Sequence, residues 1–93
     1  MIALITYDIT DDQRREDVAV ALSGYGPRVQ LSVFECECRD ADELRDLRAR
    51  LREIIDPLKD QIRLYPTTTT TFSQRYILRA TTVEERADYW IIR

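Results

Sequence analysis

The chain has 93 residues, enough for one small domain and too few for a large core. An apolar fraction of 44% with 33% charged residues excludes a disordered segment, and no apolar run is long enough to span a bilayer. The net charge of −3 is a poor footprint for binding nucleic acid by charge alone, and the absence of histidine removes the commonest base for a serine, threonine or cysteine nucleophile.

No basic region precedes the apolar N-terminal stretch, so a signal peptide is not expected and the default compartment is the cytoplasm. Residues 2–7 read as a strand, nearly all apolar and hence buried on both faces, and the apolar run ends at Asp8. Thr10 is the expected N-cap of the first helix, with Asp11 and Asp12 in its first turn, where acids suit the helix dipole. Val18, Ala21, Leu22 and Tyr25 form its apolar stripe, and Gly24, Gly26 and Pro27 close it. The second strand runs from Arg28 to about Arg39, with Val29, Leu31 and Val33 alternating with Gln30, Ser32 and Phe34. Cys36 and Cys38 point to one face of it, badly placed to bridge each other. They read as small apolar residues packed on a sheet, since no CxxC and no histidine accompany them.

A second helix is capped near Asp40, buries Leu44, Leu47, Leu51, Ile54, Ile55 and Leu58, and stops at Pro57. A third strand covers Gln61–Tyr65 and breaks at Pro66. The five threonines from Thr67 to Thr71 favour extended backbone. A fourth strand is expected over Phe72–Arg79, a turn over Thr82–Arg86 and a last strand over Asp88–Ile92. The aromatic and isoleucine content of that last strand fits pairing across a subunit interface. Taken whole, the order is β-α-β-α-β-β(-β) over a single domain, residues 1–93, with 66–93 as a C-terminal strand extension. This two-layer α+β plan resembles the ferredoxin-like βαββαβ arrangement, with helices on one face of the sheet.

No Walker loop or glycine-rich dinucleotide fingerprint is present, which leaves carboxylate plus metal, or simple binding. Asp8 is the best candidate because strand ends lie at the rim of a sheet. One aspartate is half a site, and a two-fold dimer with Asp8 near its axis would supply the other half. Two carboxylates and waters suit Mg²⁺ or Mn²⁺, which can polarise a phosphodiester and acidify a water. Thirteen of the fourteen bases are arginine, and arginine grips phosphate through two parallel hydrogen bonds. Arg14 and Arg15 on the first helix and Arg28 at the start of the second strand are candidate phosphate contacts. Tyr7 and Phe34 are candidates for stacking on bases, with core packing the competing role.

The segments Tyr7-Asp8-Ile9-Thr10, Arg28 to Glu35 (RVQLSVFE) and Ile62-Arg63-Leu64-Tyr65, separated by helices, resemble the Cas2 family of small CRISPR-associated adaptation proteins. The resemblance spans residues 2–65. It implies a ferredoxin-like homodimer whose C-terminal strand contributes to the dimer sheet. It also implies a CRISPR integrase subunit as partner, duplex DNA or RNA as ligand, and metal-dependent endonuclease activity with Asp8 as catalytic and metal-binding residue. Tyr7, Arg15, Arg28 and Phe34 match the family's other motif positions. Asp17, where the family often carries a base, and Leu31, where it often carries an aromatic residue, depart from the pattern. Outside this family, a small dimeric ferredoxin-like regulator that binds a metabolite without nuclease activity is the alternative.

Overall fold

The computed structural model describes residues 1–78. The elements are β1 (Ile2–Asp8), α1 (Asp12–Ser23), β2 (Arg28–Gln30), β3 (Val33–Glu37), α2 (Ala41–Ile54), β4 (Gln61–Thr67) and α3 (Thr69–Ser73). The four strands form one antiparallel sheet in the order β2-β3-β1-β4. That order, with α1 and α2 as the two crossovers, is the ferredoxin-like topology.

One face of the sheet makes the core. Ala3, Ile5 and Tyr7 of β1 and Phe34, Cys36 and Cys38 of β3 and its end pack against Val18, Ala21 and Leu22 of α1 and Leu44, Leu47 and Leu51 of α2. The period of two in the strands and of about 3.6 in the helices brings these residues to one layer. Strand alternation sends Ile2, Leu4, Thr6 and Asp8 to the opposite face, which neither long helix covers, so β1 is not buried on both faces as its apolar run suggests: Leu4 and Thr6 are half-buried and Asp8 is exposed.

The long second strand expected from Arg28 to Arg39 is instead a hairpin, with the turn at Leu31-Ser32. A single strand would have set Val29, Leu31 and Val33 against Phe34, Cys36 and Cys38, and only one face of this sheet is roofed. The chain buries the second set and leaves Leu31 83% exposed. The order is therefore β-α-β-β-α-β over the described residues, not β-α-β-α-β-β. Gly26 lies so close to β3 that a Cβ there would sit 1.8 Å from the carbonyl oxygen of Glu35. The flanking Pro27 carbonyl accepts the Glu35 N–H at 3.1 Å, and the Tyr25 carbonyl accepts the Glu37 N–H at 2.9 Å.

Other expectations shift by local chemistry. Asp11, not Thr10, caps α1, because its carboxylate accepts the Arg14 N–H at 2.9 Å. Asp40 caps α2 as expected, accepting the Glu43 N–H. Helix α2 ends at Ile54, ahead of Pro57, and Leu58 falls beyond it, 94% exposed, outside the buried stripe. Pro66 does not stop β4, since β4 is an edge strand of this sheet and an edge tolerates a missing N–H.

The threonine run is extended only at its start: Thr67 closes β4 and Thr68 keeps extended backbone, whereas Thr69, Thr70 and Thr71 are helical. The Thr68 hydroxyl accepts the Thr71 N–H at 3.0 Å and starts the short helix α3, so local capping prevails over β preference. Phe72 and Ser73 belong to that helix and residues 75–78 to no regular element, so the fourth strand expected over 72–79 does not form over its described part, 72–78. The expected turn at 82–86, the strand at 88–92 and its role in a dimer sheet lie outside the described residues. Among the described residues no helix is long and apolar enough to cross a membrane.

Candidate metal and nucleic-acid site

Asp8 closes β1 at the rim of the sheet, paired in register with Gln61, the first residue of β4. Its side chain is exposed and, among the described residues, takes part in no hydrogen bond or ion pair. Parity along the strand places it on the uncovered face, in line with Ile2, Leu4 and Thr6. Among the described residues no group of three or more carboxylates or cysteines gathers to hold a metal. One copy thus offers a single free carboxylate, a fit for a hard cation only when a second carboxylate and waters complete the shell.

The other candidate residues are placed very differently. Tyr7 and Phe34 are core residues, 5% and 2% exposed, stacked on each other with ring centroids 6.3 Å apart. No open ring face is left for a base, and of the two competing roles the structure gives both rings core packing. The Tyr7 hydroxyl reaches the Leu31 carbonyl at 3.4 Å. Arg28 is exposed, and its guanidinium lies over the Phe34 ring, 5.3 Å from the centroid. It covers the core aromatic and keeps its donors toward water.

The two helix arginines are occupied internally. Arg14 donates from Nε to Asp60 Oδ2 at 2.7 Å and from Nη2 to Oδ1 at 3.2 Å. The hydrogen bond from Arg14, then that from the Asp56 N–H, hold the Asp60 carboxyl below its ordinary range, and Asp60 in turn raises Arg14. Arg15 donates from Nη1 to the carbonyls of Ile9 and Thr10, both at 3.2 Å, and pairs with Asp12. It ties down the loop that leaves Asp8.

Arg63 is the residue that the sequence reading missed as a site candidate. It is exposed on β4, opposite Thr6 in register and one step diagonal from Asp8, on the same uncovered face. The signal was available: Ile62 and Leu64 pack against the core, so alternation turns Arg63 to the other side.

The cysteines are inert. Burial, then the neighbouring Cys38, pushes the Cys36 thiol up to about 11, and burial likewise raises Cys38. Both thiols are buried in the core, 0% and 1% exposed, and pack there as small apolar groups.

The fold and site define a small ferredoxin-like protein with a lone acidic rim residue on an open sheet face. The family model described as "CRISPR associated protein Cas2" matches residues 1–75, and the chain belongs to that family. It is 57% identical over 65 residues to the CRISPR-associated endoribonuclease Cas2 3 of Chloroflexus aurantiacus, covering 70% of this chain and 69% of the relative. The crystal structure of Streptococcus pyogenes Cas2 at pH 6.5 superposes with a TM-score of 0.75 at 36% identity, covering 85% of this chain and 100% of that one. A chain of the partial Cas6-RT-Cas1–Cas2 complex does so with a TM-score of 0.69 at 32% identity, covering 82% of each chain.

Proposed function

We infer that two copies of this chain pair through the uncovered sheet face and serve CRISPR adaptation. The pair bridges integrase subunits on duplex DNA, and its two Asp8 carboxylates hold one Mg²⁺ or Mn²⁺ at a phosphodiester. The observation that carries this reading is Asp8 itself. It is a free carboxylate at the end of a face that also presents Leu4 and Val33 half-buried and Tyr65 49% exposed, and alone it makes half a site. A sheet face with this much apolar surface gains by being covered, and a two-fold operation that covers it brings like residues together. The bridging role is supported by the structural likeness to a chain of a complex that contains Cas1.

The chain's own contributions are limited and definite. Asp8 would hold the ion, and Arg63, one row away on the same face, would neutralise a phosphate oxygen. Arg28 at the β2 edge offers a second, more distant phosphate contact. When bound, the ion supplies charge to a phosphate oxygen and acidifies a water. Cleavage is the smaller part of the function, because one carboxylate per copy and a net charge of −3 make a sparse nuclease. Bridging needs only the dimer and its partner surface.

The test is Asp8→Ala in the purified dimer and in cells. Metal-dependent cleavage of RNA and DNA is expected to vanish while spacer acquisition persists. Cleavage that survives the change removes Asp8 from the chemistry, and loss of acquisition with an intact dimer overturns the priority given to bridging.

A further inference from the structure

We propose that the Arg14–Asp60 ion pair is a positioning clamp that fixes where Asp8 stands. The proposal rests on the reading of Asp8 as a metal ligand. Its geometry is independent of that reading.

Asp8 has two neighbours that could let it move: the loop 9–11 that follows it, and the start of β4, against which it is paired. One residue, Arg14, touches both, through its backbone on the loop side, where Arg15 also holds the Ile9 and Thr10 carbonyls, and through its guanidinium on the β4 side. Arg14 sits in the first turn of α1, and its backbone N–H donates to the capping carboxylate of Asp11, three residues past Asp8. Its side chain reaches across to Asp60, the residue before Gln61, and Gln61 is the register partner of Asp8. The Asp60 side chain is completely buried while that of Arg14 is 26% exposed, so the pair is shielded on its acidic side.

Asp60 is itself fixed. Its Oδ2 accepts the Asp56 N–H at 2.8 Å, its own N–H donates to the Asp56 carbonyl at 2.8 Å, and Asp56 Oδ1 accepts the Leu58 N–H at 2.9 Å. The turn 56–60 is therefore a closed knot with one external tether. A planar guanidinium giving two hydrogen bonds to one carboxylate fixes direction as well as distance, which an ammonium could not do. Surface ion pairs such as Arg45–Asp42 on α2, with both side chains more than half exposed, lack that shielding.

Arg14 thus acts through Asp60 and Gln61 on Asp8 and does not need to touch phosphate. Removing the clamp should let the β1 end and the β4 start open locally while the rest of the sheet stays closed.

The experiment uses the full-length dimer with Asp60→Asn, Arg14→Lys and, as control, Arg45→Met. Amide hydrogen exchange of segments 7–12 and 60–62 is expected to quicken about tenfold in Asp60→Asn, less in Arg14→Lys, and not in the control, with β3 unchanged. Mn²⁺ alone, followed by water-proton relaxation, should bind about tenfold more weakly in Asp60→Asn and with intermediate affinity in Arg14→Lys. Unchanged exchange at 7–12 overturns the clamp. Faster exchange with unaltered Mn²⁺ affinity also overturns it as a positioning device, leaving a merely structural pair. If the wild-type dimer binds no Mn²⁺, the metal reading of Asp8 fails, and the exchange arm alone decides the clamp. Should Asp60→Asn not fold, Arg14→Lys, which keeps the charge and loses the fork, carries both measurements.

Discussion

The two faces of the sheet are made from the same strands and have opposite characters. On the roofed face Ile5, Leu22, Cys36 and Leu47 are wholly buried, and no buried polar or charged residue is found there among the described residues. On the open face alternate positions of the same strands carry Leu4, Thr6, Asp8, Arg63 and Tyr65, half-buried or exposed. Stability resides on the first face, and the proposed function puts interaction on the second. A substitution should therefore report which face it lies on through the property it changes: folding free energy on one, assembly or chemistry on the other.

The largest break is expected from Phe34→Ala. The ring is 2% exposed, stacks on Tyr7 and carries Arg28 on its outer side. Its truncation should cost about 4 kcal/mol in urea unfolding, near the stability of a domain this small. Cys36 gives a milder effect on the same face. Its folded thiol titrates at about 11 against an ordinary value of 9.0. A raised folded value means that the stabilisation is complete below pH 9 and is lost as pH climbs toward 11. The loss should approach about 3 kcal/mol, and Cys36→Ala should flatten that alkaline slope whatever its cost at neutral pH.

Leu4→Glu sharpens the comparison from the other side. Leu4 lies on the open face between Glu35 and Tyr65, so a second charge there should cost the isolated fold less than about 1 kcal/mol. It should nevertheless shift the dimer to monomer in sedimentation, because a buried unpaired carboxylate is set against its own copy. A dimer that survives would show that the copies pair elsewhere.

The roofed face was largely legible in the sequence. The stripe Leu44, Leu47, Leu51 carries its period locally, and a local period survives any tertiary arrangement; the run Ile2–Tyr7 marked a strand, but being almost wholly apolar it could not say that only one of its faces is roofed. The hairpin at Leu31-Ser32 was not legible. Its turn has no glycine, proline or asparagine, and apolar residues lie on both sides of it, so alternation alone cannot say which set is buried. The threonine run departs from its expected extended form only after Thr68, for a related reason: strand preference is weak, and the Thr68 hydroxyl starts a helix at Thr69. At the site, Asp8 was legible from its place at a strand end. The task of Arg14 was not, because its partner Asp60 is 46 residues away and nothing near either marks the pairing. The core placement of Tyr7 and Phe34 left stacking on bases without a free ring.

The smallest effect on stability is expected from Asp8→Ala, which for that reason separates the faces most cleanly. Asp8 caps no helix, makes no ion pair among the described residues and is exposed, so the fold should change by less than about 0.5 kcal/mol. Melting temperature and dimer fraction should match the wild type. Metal-dependent cleavage should nonetheless fall to background, since among the described residues no group of three or more carboxylates or cysteines gathers to hold the ion in its place. Asp8→Asn makes the reading stricter. It keeps the shape and one acceptor oxygen and loses the charge, and cleavage should fall almost as far if Asp8 works by binding a divalent cation. Full activity in Asp8→Asn would mean that the open face uses its end residue for a hydrogen bond and that the cation, if any, is held elsewhere.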